Sequence, residues 1–269
     1  MDDRLRLAYL EAYLERIGVS PEDFTRSGRA LDAAALAALH RAHLMTVPFE
    51  NLSIHLSEPI SLDEPDLLAK VVSRRRGGFC YELNGCFALL LEALGAEVTR
   101  VAARVYGENG PGAPFAHMAL AVRLADGSGP WLADVGFGSH TTYPLALRSR
   151  SLQQDPGGGY LLADADGGDL DVLRDGQPQY RLELRGRALA DFVPTCWYQQ
   201  TSPRSHFTRG TICSMLAADG RISISDRTLI RTTAGVRTEE PLVGDAALLA
   251  AYLDNFGIAL DRAPEVPPG

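Results

Sequence analysis

The residues before and at Cys80 have the types and spacing of a nucleophilic site. Gly77 and Gly78 let the chain turn sharply before an apolar segment that begins with Cys80. A thiol in the first turn of a helix faces the positive end of the helix dipole, and three consecutive arginines precede the two glycines. Both features favour the thiolate, which is the nucleophilic form of cysteine. The sequence therefore offers Cys80 as a nucleophile, with an inert cysteine in a core helix as the alternative.

Three further cysteines lack these surroundings and are interpreted as structural: Cys86, Cys196 and Cys213. Cys86 follows Cys80 at about 600° of helix rotation, at ~100° per residue, so it faces elsewhere. The first residues are charged and helix-periodic and do not resemble a secretory signal. We therefore expect a cytoplasmic chain whose thiols stay reduced.

A cysteine nucleophile needs a base, and the base needs a group that orients it. His117 begins the apolar strand pattern HMALAVRL, and Asp134 lies among apolar residues in WLADVGFG. Each would need a hydrogen-bond partner if buried, and each could serve the other. The alternative is that both are satisfied core residues. If the two strands close symmetrically around Ser128, Asp134 pairs with Ala121 and lies about 13 Å along the strand from His117. Contact would then need a bulge, another register or a different strand arrangement.

The remaining histidines show no supporting pattern. His40 and His43 have helical i, i+3 spacing but no third metal ligand follows, so a helix surface is expected. His55, His140 and His206 lie in loop-like segments. No Walker motif, HExxH or CxxC pair occurs, and we expect no metal site. The Gly136-Phe137-Gly138 run is a weak phosphate motif, for which a plain turn is the better interpretation.

Hydrophobic periodicity indicates three successive regions. Residues 1–94 are helix-like and end in a buried helix from Cys80 to Leu94. Strand patterns follow at Val98 to Tyr106, His117 to Leu124, Trp131 to Phe137 and Tyr180 to Leu184, with Gln153 to Asp175 interpreted as a surface excursion. The last third has strand patterns at Ile212 to Leu216, Arg221 to Ser225 and Thr228 to Thr232, a helix from Asp245 to Asn255, and a loose tail from Ala263. Helices, then strands, then a mixed segment predict an α+β protein.

Composition and charge exclude several classes of protein. The 269 residues are 46% hydrophobic and 22% charged, which is typical of a globular protein. The formal net charge of −8 makes nucleic acid and anionic membranes poor partners. No apolar run is long enough to span a bilayer. Lys70 is the only lysine among 26 Lys and Arg residues.

Taken together, the runs RRGGFCYELNG, AHMALAV and WLADVGFG resemble the arylamine N-acetyltransferases, in which cysteine, histidine and aspartate motifs occur in this order. The segments PFENL and SPRSHF resemble the same family, so the similarity spans nearly the whole chain. The resemblance implies Cys80 as the acyl-accepting nucleophile, His117 as its base and Asp134 as the orienting group.

The resemblance has further implications for the site and the fold. It implies a supporting polar network of Glu50, Arg76 and Asn84, and a substrate pocket that includes Gly136, Phe137 and Gly138. It also implies three domains: a helical bundle over 1–94, a β-barrel over 95–190 and an α/β lid over 191–269 that ends in the loose tail.

The implied enzyme is a cytoplasmic acyltransferase of xenobiotic metabolism. It would take acetyl from acetyl-CoA onto Cys80 and pass it to an arylamine, arylhydrazine or arylhydroxylamine, with no permanently bound cofactor. The nearest alternative is an ansamycin-type amide synthase, which closes a macrolactam from a carrier-bound polyketide with the same residues. A papain-like hydrolase or transglutaminase would use the same Cys-His-Asp chemistry on different substrates. A non-catalytic binding module could share the scaffold, although it would be free to lose Cys80.

Overall fold

The computed structural model describes residues 3–25 and 31–265. Within this part the α-helices are α1 Asp3–Arg16, α2 Glu22–Thr25, α3 Ala33–Thr46, α4 Leu52–His55, α5 Glu64–Leu68, α6 Cys80–Ala93, α7 Val193–Thr201 and α8 Gly244–Phe256. A π-helical turn over Ala69–Ser73 extends α5. The predicted helices before Gly18, after Leu31 and after Cys80 are confirmed, whereas the sequence patterns do not predict α7.

Fourteen strands occur in the same described residues. They are β1 Phe49–Glu50, β2 Glu97–Gly107, β3 Gly110–Pro111, β4 His117–Arg123, β5 Trp131–Ala133, β6 Leu145–Ala146, β7 Gln153–Asp155, β8 Gly158–Asp164, β9 Leu170–Arg174, β10 Gln177–Arg187, β11 Ile212–Ala217, β12 Gly220–Ser225, β13 Thr228–Thr233 and β14 Val236–Pro241. The α+β class is confirmed, because six of the eight described α-helices precede β2 and the strands of both sheets pair antiparallel.

The larger sheet is a nearly closed barrel. Its strands follow the order β6-β5-β4-β2-β10-β9-β8-β7. At the seam, the Gln153 side chain bridges the two edge strands: its Oε1 accepts from the Ala146 N–H at 2.7 Å, and its Nε2 donates to the Ala146 carbonyl at 3.2 Å. A side-chain amide therefore supplies the hydrogen bonds that a neighbouring strand would supply in a closed barrel.

Part of this barrel comes from a segment predicted as a surface excursion. The prediction for Gln153 to Asp175 was wrong, because β7, β8 and β9 lie within it. The turns between these strands contain Gly157, Asp166, Gly167, Gly168 and Asp169. The strands themselves alternate with period two and bury Tyr160, Leu162, Leu170 and Val172 inside the barrel.

Alternation along β4 connects the barrel to the helices. Met118 and Leu120 pack in the helical core around α6, whereas Ala119 packs inside the barrel. His117 is on the same side of the strand as Ala119, because side chains two residues apart share a face. The first residue of β4 thus lies at the end of the barrel interior.

The smaller sheet joins distant parts of the chain. Its strand order is β1-β11-β12-β13-β14, so Phe49 pairs with Ser214. A third core under this sheet combines Leu52 and Leu56 with residues of α8. The three domain boundaries stay a prediction, and this sheet contains residues from both the first and the third of them.

The C-terminal segment is held at Glu265. The Glu265 N–H donates to the His55 carbonyl at 2.9 Å, and His55 Nδ1 lies 3.0 Å from the Glu265 carbonyl oxygen. The tail predicted to be loose from Ala263 is therefore tied to α4 at this point. Residues 266–269 lie outside the described residues.

Candidate active site

Cys80 is the first residue of α6, as the sequence predicted. Phe79 precedes the helix with an extended backbone, and its N–H donates to Glu82 Oε2 at 3.2 Å. Only 4% of Cys80 is exposed. The thiol thus lies at the positive end of a buried helix dipole.

The register of β4 and β5 brings His117 close to Asp134. Leu120 pairs with Ala133, so Asp134 continues past the end of β5 toward the level of Ala119. The symmetric hairpin predicted from Ser128 was therefore wrong by two residues. His117 Nε2 lies 2.7 Å from Asp134 Oδ2, and both side chains are buried. The predicted strand from Trp131 to Phe137 stops at Ala133, which frees Asp134 for this contact.

Asp134 accepts hydrogen bonds on both of its oxygens. Oδ1 accepts from Asn84 Nδ2 at 2.9 Å and from the Gly136 N–H at 3.0 Å. Oδ2 accepts from His117 and from the Tyr180 hydroxyl, the latter at 3.0 Å. Burial opposes ionisation, but His117 and these bonds hold the pKa of the Asp134 carboxyl well below its usual range. Asp134 is therefore a fixed anion beneath the imidazole.

The loop after Asp134 lies directly on the start of α6. A Cβ atom added to Gly136 would lie 2.7 Å from the Cys80 Cα and 2.7 Å from Asn84 Nδ2. Glycine is needed here because any larger residue would push the loop off the helix. Asn84 fixes the same contact, since its Oδ1 accepts from the Val135 N–H at 3.0 Å and its Nδ2 donates to the Met118 carbonyl at 2.6 Å.

The ionisation of Cys80 differs from the expectation. Burial raises the pKa of the Cys80 thiol well above its usual range, and the Asp134 carboxylate acts in the same direction. Backbone hydrogen bonds from Met118 and Tyr81 oppose this rise. The Met118 bond places the sulfur beside the residue that follows His117. The thiolate therefore needs a positive partner.

The arginines before Cys80 do not provide that partner. Arg74 and Arg75 are exposed. Arg76 is buried and turns to Glu50, with Nε 3.0 Å from Oε1, and to Glu58, with Nη1 3.1 Å from Oε2. The prediction that the arginine cluster stabilises a Cys80 thiolate was wrong, because these cations face other carboxylates or solvent.

The residues expected to form one supporting network lie in two. Glu50 and Arg76 are paired, whereas Asn84 belongs to the hydrogen bonds around Asp134. Lys70 and Glu82 lie next to the first network, with Nζ 2.6 Å from Oε1. Burial raises the pKa of Glu82, while Lys70 and Arg76 outweigh burial at Glu50 and lower its pKa.

Comparison with known proteins identifies the family. The chain matches the family described as N-acetyltransferase over residues 32–266. The arylamine N-acetyltransferase of Mycolicibacterium smegmatis is 35% identical over 261 residues, which are 93% of this chain and 92% of that protein. The chain belongs to the arylamine N-acetyltransferase family. It is therefore an acyltransferase.

Solved structures of arylamine N-acetyltransferases have the same fold. The M. smegmatis structure superposes with a TM-score of 0.84 at 34% identity and covers 93% of this chain and 92% of its own. The Mycobacterium marinum structure, in complex with CoA, gives a TM-score of 0.82 at 33% identity with the same coverage. The resemblance seen in the sequence motifs is confirmed.

Two histidines of this family member were placed wrongly from the sequence. His40 and His43 are fully buried, not on a helix surface. His40 Nε2 accepts from the Asp134 N–H at 3.1 Å while its Nδ1 donates to the Thr142 carbonyl at 2.9 Å. His43 Nδ1 lies 2.9 Å from the Tyr13 hydroxyl. His40 thus fixes the backbone of the aspartate that holds His117.

An aromatic group surrounds the His117 ring in the acetyltransferase. The Phe137 ring lies 5.1 Å from that of His117 and 5.0 Å from that of Tyr180, between ring centroids. His140 lies 5.3 Å from Phe137, and its Nε2 is 3.0 Å from the Tyr180 hydroxyl. Sequence reasoning missed Tyr180 and His140. A buried tyrosine in a strand needs a hydrogen-bond partner for its hydroxyl, and this need is the sequence feature that could have pointed to Tyr180.

A cleft of about 730 Å³ lies between the barrel and the C-terminal sheet. His140 and Gly157 line its barrel side. Charged side chains that line it are Arg41, Arg174, Asp219 and Arg221. The cleft is therefore positively charged and borders the aromatic group through His140.

In residues 3–25 and 31–265, no cluster of three or more His, Cys, Asp or Glu side chains could hold a metal ion. None of the helices in this described part is both long and apolar enough to cross a membrane.

Proposed function

We propose that this protein transfers acetyl from acetyl-CoA to arylamines, arylhydrazines or arylhydroxylamines by a ping-pong mechanism through acetyl-Cys80. The observation that carries the proposal is the buried His117–Asp134 pair at 2.7 Å, beside a cysteine at a helix N-terminus. Membership of the family supports the chemistry, and the CoA complex of the M. marinum relative supports the donor.

In the first half-reaction, His117 takes the proton of the Cys80 thiol and the sulfur attacks the acetyl carbonyl carbon. The new S–C bond forms as the bond between carbon and the CoA sulfur breaks, and the proton on His117 passes to the departing CoA thiolate. Because burial disfavours the lone thiolate, the charge on sulfur exists only together with the imidazolium, which Asp134 stabilises.

In the second half-reaction, the amine nitrogen attacks the acetyl carbon of the thioester. The N–C bond forms, the bond from carbon to Cys80 Sγ breaks, and His117 receives the proton that nitrogen loses. Arylamines suit this step because their conjugate acids are weak, so the free amine predominates at neutral pH. The Phe137 ring, half-buried beside His117, supports an aromatic acceptor at this place.

The cleft between the barrel and the C-terminal sheet suits the donor. Its three arginines outnumber its one aspartate, and guanidinium groups bind phosphate with paired hydrogen bonds. CoA carries phosphates at one end and the acyl thioester at the other. We propose that the phosphates bind near Arg41, Arg174 and Arg221 while the thioester reaches Cys80.

Intact-mass measurement tests the proposal. The protein mixed with acetyl-CoA and no acceptor should gain one acetyl group on the Cys80 peptide, and 5-aminosalicylate should then remove it. Cys80→Ser is the control and should gain none. The absence of an adduct at millimolar acetyl-CoA would contradict the proposal.

A further inference from the structure

His140 has a buried polar atom that the described residues leave unpaired. The residue is 8% exposed, and among the described residues its Nδ1 has no hydrogen-bond partner. The side chain lines the cleft between the barrel and the C-terminal sheet. A buried acceptor without a partner is unfavourable, so this atom is expected to bind a donor in the cleft.

The neighbours of His140 fix which nitrogen carries the proton. The Tyr180 hydroxyl has one hydrogen, and the ionised Asp134 carboxylate can only accept, so Tyr180 donates to Asp134 Oδ2. Tyr180 must then accept from His140 Nε2. His140 thus carries its proton on Nε2 and presents the bare Nδ1 to the cleft.

The His140 ring is neutral at physiological pH. Burial lowers its pKa to about 4. Asp134 raises this pKa, while the other charged or titratable groups facing the ring lower it: His117, His40 and Arg174. A neutral imidazole with its proton on Nε2 is a hydrogen-bond acceptor at Nδ1.

The Tyr160 side chain, which packs against the His140 ring, also carries a buried polar atom without a partner among the described residues. Tyr160 is fully buried, and its hydroxyl also has no partner among the described residues. Its ring packs edge-on against His140, with 5.0 Å between centroids. A Cβ added to Gly157, which lines the cleft, would lie 3.3 Å from this hydroxyl. One free acceptor and one free donor together match an amide group.

We propose that His140 is a specificity-determining residue for the acyl donor, whose amide N–H donates to Nδ1 in the cleft. This inference rests on the proposed function. The pantetheine arm of CoA carries such amides between its phosphates and its thioester. Tyr180 is a positioning residue, because it holds the His140 tautomer that accepts and also donates to Asp134.

His140→Gln tests the contact with the donor. Glutamine can place a side-chain N–H near the position of His140 Nε2, which keeps the bond to Tyr180, but has no acceptor at the position of Nδ1. We expect KM for acetyl-CoA to rise about 10-fold, which is the worth of one hydrogen bond of ~1.4 kcal/mol. S-acetyl-N-acetylcysteamine, which has an amide but no phosphate, should show a similar rise. Acetylation of Cys80 by p-nitrophenyl acetate, which has no amide, should change less than about twofold.

Tyr180→Phe tests the tautomer. His140 is then free to move its proton to Nδ1, so KM for acetyl-CoA should rise although residue 180 makes no direct contact with the donor. In the double variant of His140 and Tyr180, the rise in KM should not exceed the two single rises combined and should be close to the larger of them. The reason is that the two residues act through one hydrogen-bonded chain.

Tyr180→Phe has a second readout in the pH profile of Cys80 acetylation by p-nitrophenyl acetate. Loss of a donor to Asp134 should move this profile to lower pH, since Asp134 then stabilises the imidazolium, and with it the thiolate, more strongly. Tyr252→Phe, in the core under the small sheet, is the matched control and should change neither the KM nor the profile.

Three outcomes would overturn the inference. An unchanged KM for acetyl-CoA in His140→Gln would show that the donor does not bind Nδ1. Equal losses of activity with acetyl-CoA and p-nitrophenyl acetate would show that His140 has a purely structural role. A rise confined to the KM of the arylamine means that the acceptor, not the donor, bonds to Nδ1. Failure of the proposed function is a separate result, in which the unaltered protein forms no acetyl-Cys80 with any donor.

Discussion

Two buried polar networks meet the first turns of α6, and they differ in how charge is balanced. Asn84 belongs to the network around Asp134, whose carboxylate is surrounded by hydrogen-bond donors and by the His117 imidazole. Glu82 belongs to the other network, in which Lys70 supplies a fixed cation at 2.6 Å. The first network holds one anion among hydrogen-bond donors and the His117 imidazole, whereas in the second network Lys70 and Arg76 pair with carboxylates.

We expect the Asp134 network to support catalysis and the Lys70–Glu82 network to anchor the fold. The proposed base His117 needs a counter-charge that does not itself titrate, and Asp134 suits this role because its pKa is held low. The Lys70–Glu82 pair instead fixes the turn before Cys80, since Glu82 also accepts from the Phe79 N–H. Changes in the first network should therefore affect activity, and changes in the second should affect stability.

The largest effect on activity is expected from Cys80→Ser. Transfer should fall by at least about a thousandfold, because a hydroxyl is a far weaker nucleophile than the thiol that His117 is proposed to activate. Thermal unfolding should stay close to that of the unaltered protein. In the latter, stoichiometric iodoacetamide should label Cys80 ahead of the other three cysteines, as judged by peptide mass. Equal labelling of all four cysteines would contradict the assignment of Cys80 as the nucleophile.

Asp134→Asn should come next, with a loss of about 10² to 10⁴ in kcat. The amide cannot stabilise imidazolium, and it brings N–H groups toward donors that already point at this site. The pH profile of Cys80 alkylation should also shift to higher pH, because the thiolate loses its stabilised partner. Asp171→Asn, which breaks a salt bridge to Arg181 on the barrel, is the matched control. A folded Asp134→Asn protein with unchanged kcat and pH profile would exclude Asp134 as the orienting group.

Lys70→Met should change stability more than chemistry. Removal of the ammonium leaves Glu82 buried and unpaired, which costs about 3–5 kcal/mol in the free energy of unfolding. Lys70→Met combined with Glu82→Leu should recover much of that loss, because no buried charge then remains unpaired. Urea denaturation measures both, and kcat of the folded fraction should fall less than about tenfold. A loss of kcat as large as that of Asp134→Asn, without a change in stability, would contradict the division between the two networks.

Local sequence patterns predicted the position of Cys80 at the start of a helix and most elements of the fold. Cys80 follows two glycines and begins an apolar helix, so its position could be derived from neighbouring residues alone. The contact of His117 with Asp134 could not, because it depends on a strand register that the loop sequence leaves open. A shift of two residues changes which side chains meet, while the alternation of buried and exposed positions stays the same.

Long-range contacts account for the remaining errors. The pair His40 and His43 has the spacing of an exposed helix face, but the loop at Thr142 and the Asp134 backbone cover His40 from over 90 residues away in the sequence. Arg76 lies shortly before Cys80 in the sequence, but its guanidinium group forms ion pairs with Glu50 and Glu58 instead. The contact between His140 and Tyr180 spans 40 residues of sequence, so local patterns could not predict it.

The smallest predicted effect concerns stability in mild acid. His140 has a folded-state pKa of about 4, below the value of about 6.5 in an unfolded chain, and burial lowers the pKa values of His40 and His43 in the same direction. As the pH falls below about 6.5, the unfolded chain therefore binds protons that the folded chain does not, and stability decreases. For His140 alone the loss between pH 7 and pH 5 is about 2 kcal/mol, and it is regained as the pH rises again. Asp134 does not contribute in this window, because its low pKa affects stability only near and below the unfolded value of about 3.9.

Urea unfolding of the unaltered protein and of His140→Gln at pH 7 and pH 5 measures the contribution of His140 to this loss. The variant should lose about 2 kcal/mol less than the unaltered protein between these two pH values. If both proteins lose the same free energy of unfolding, the His140 ring is not held neutral in the folded protein. In that case Nδ1 cannot serve as the hydrogen-bond acceptor in the cleft.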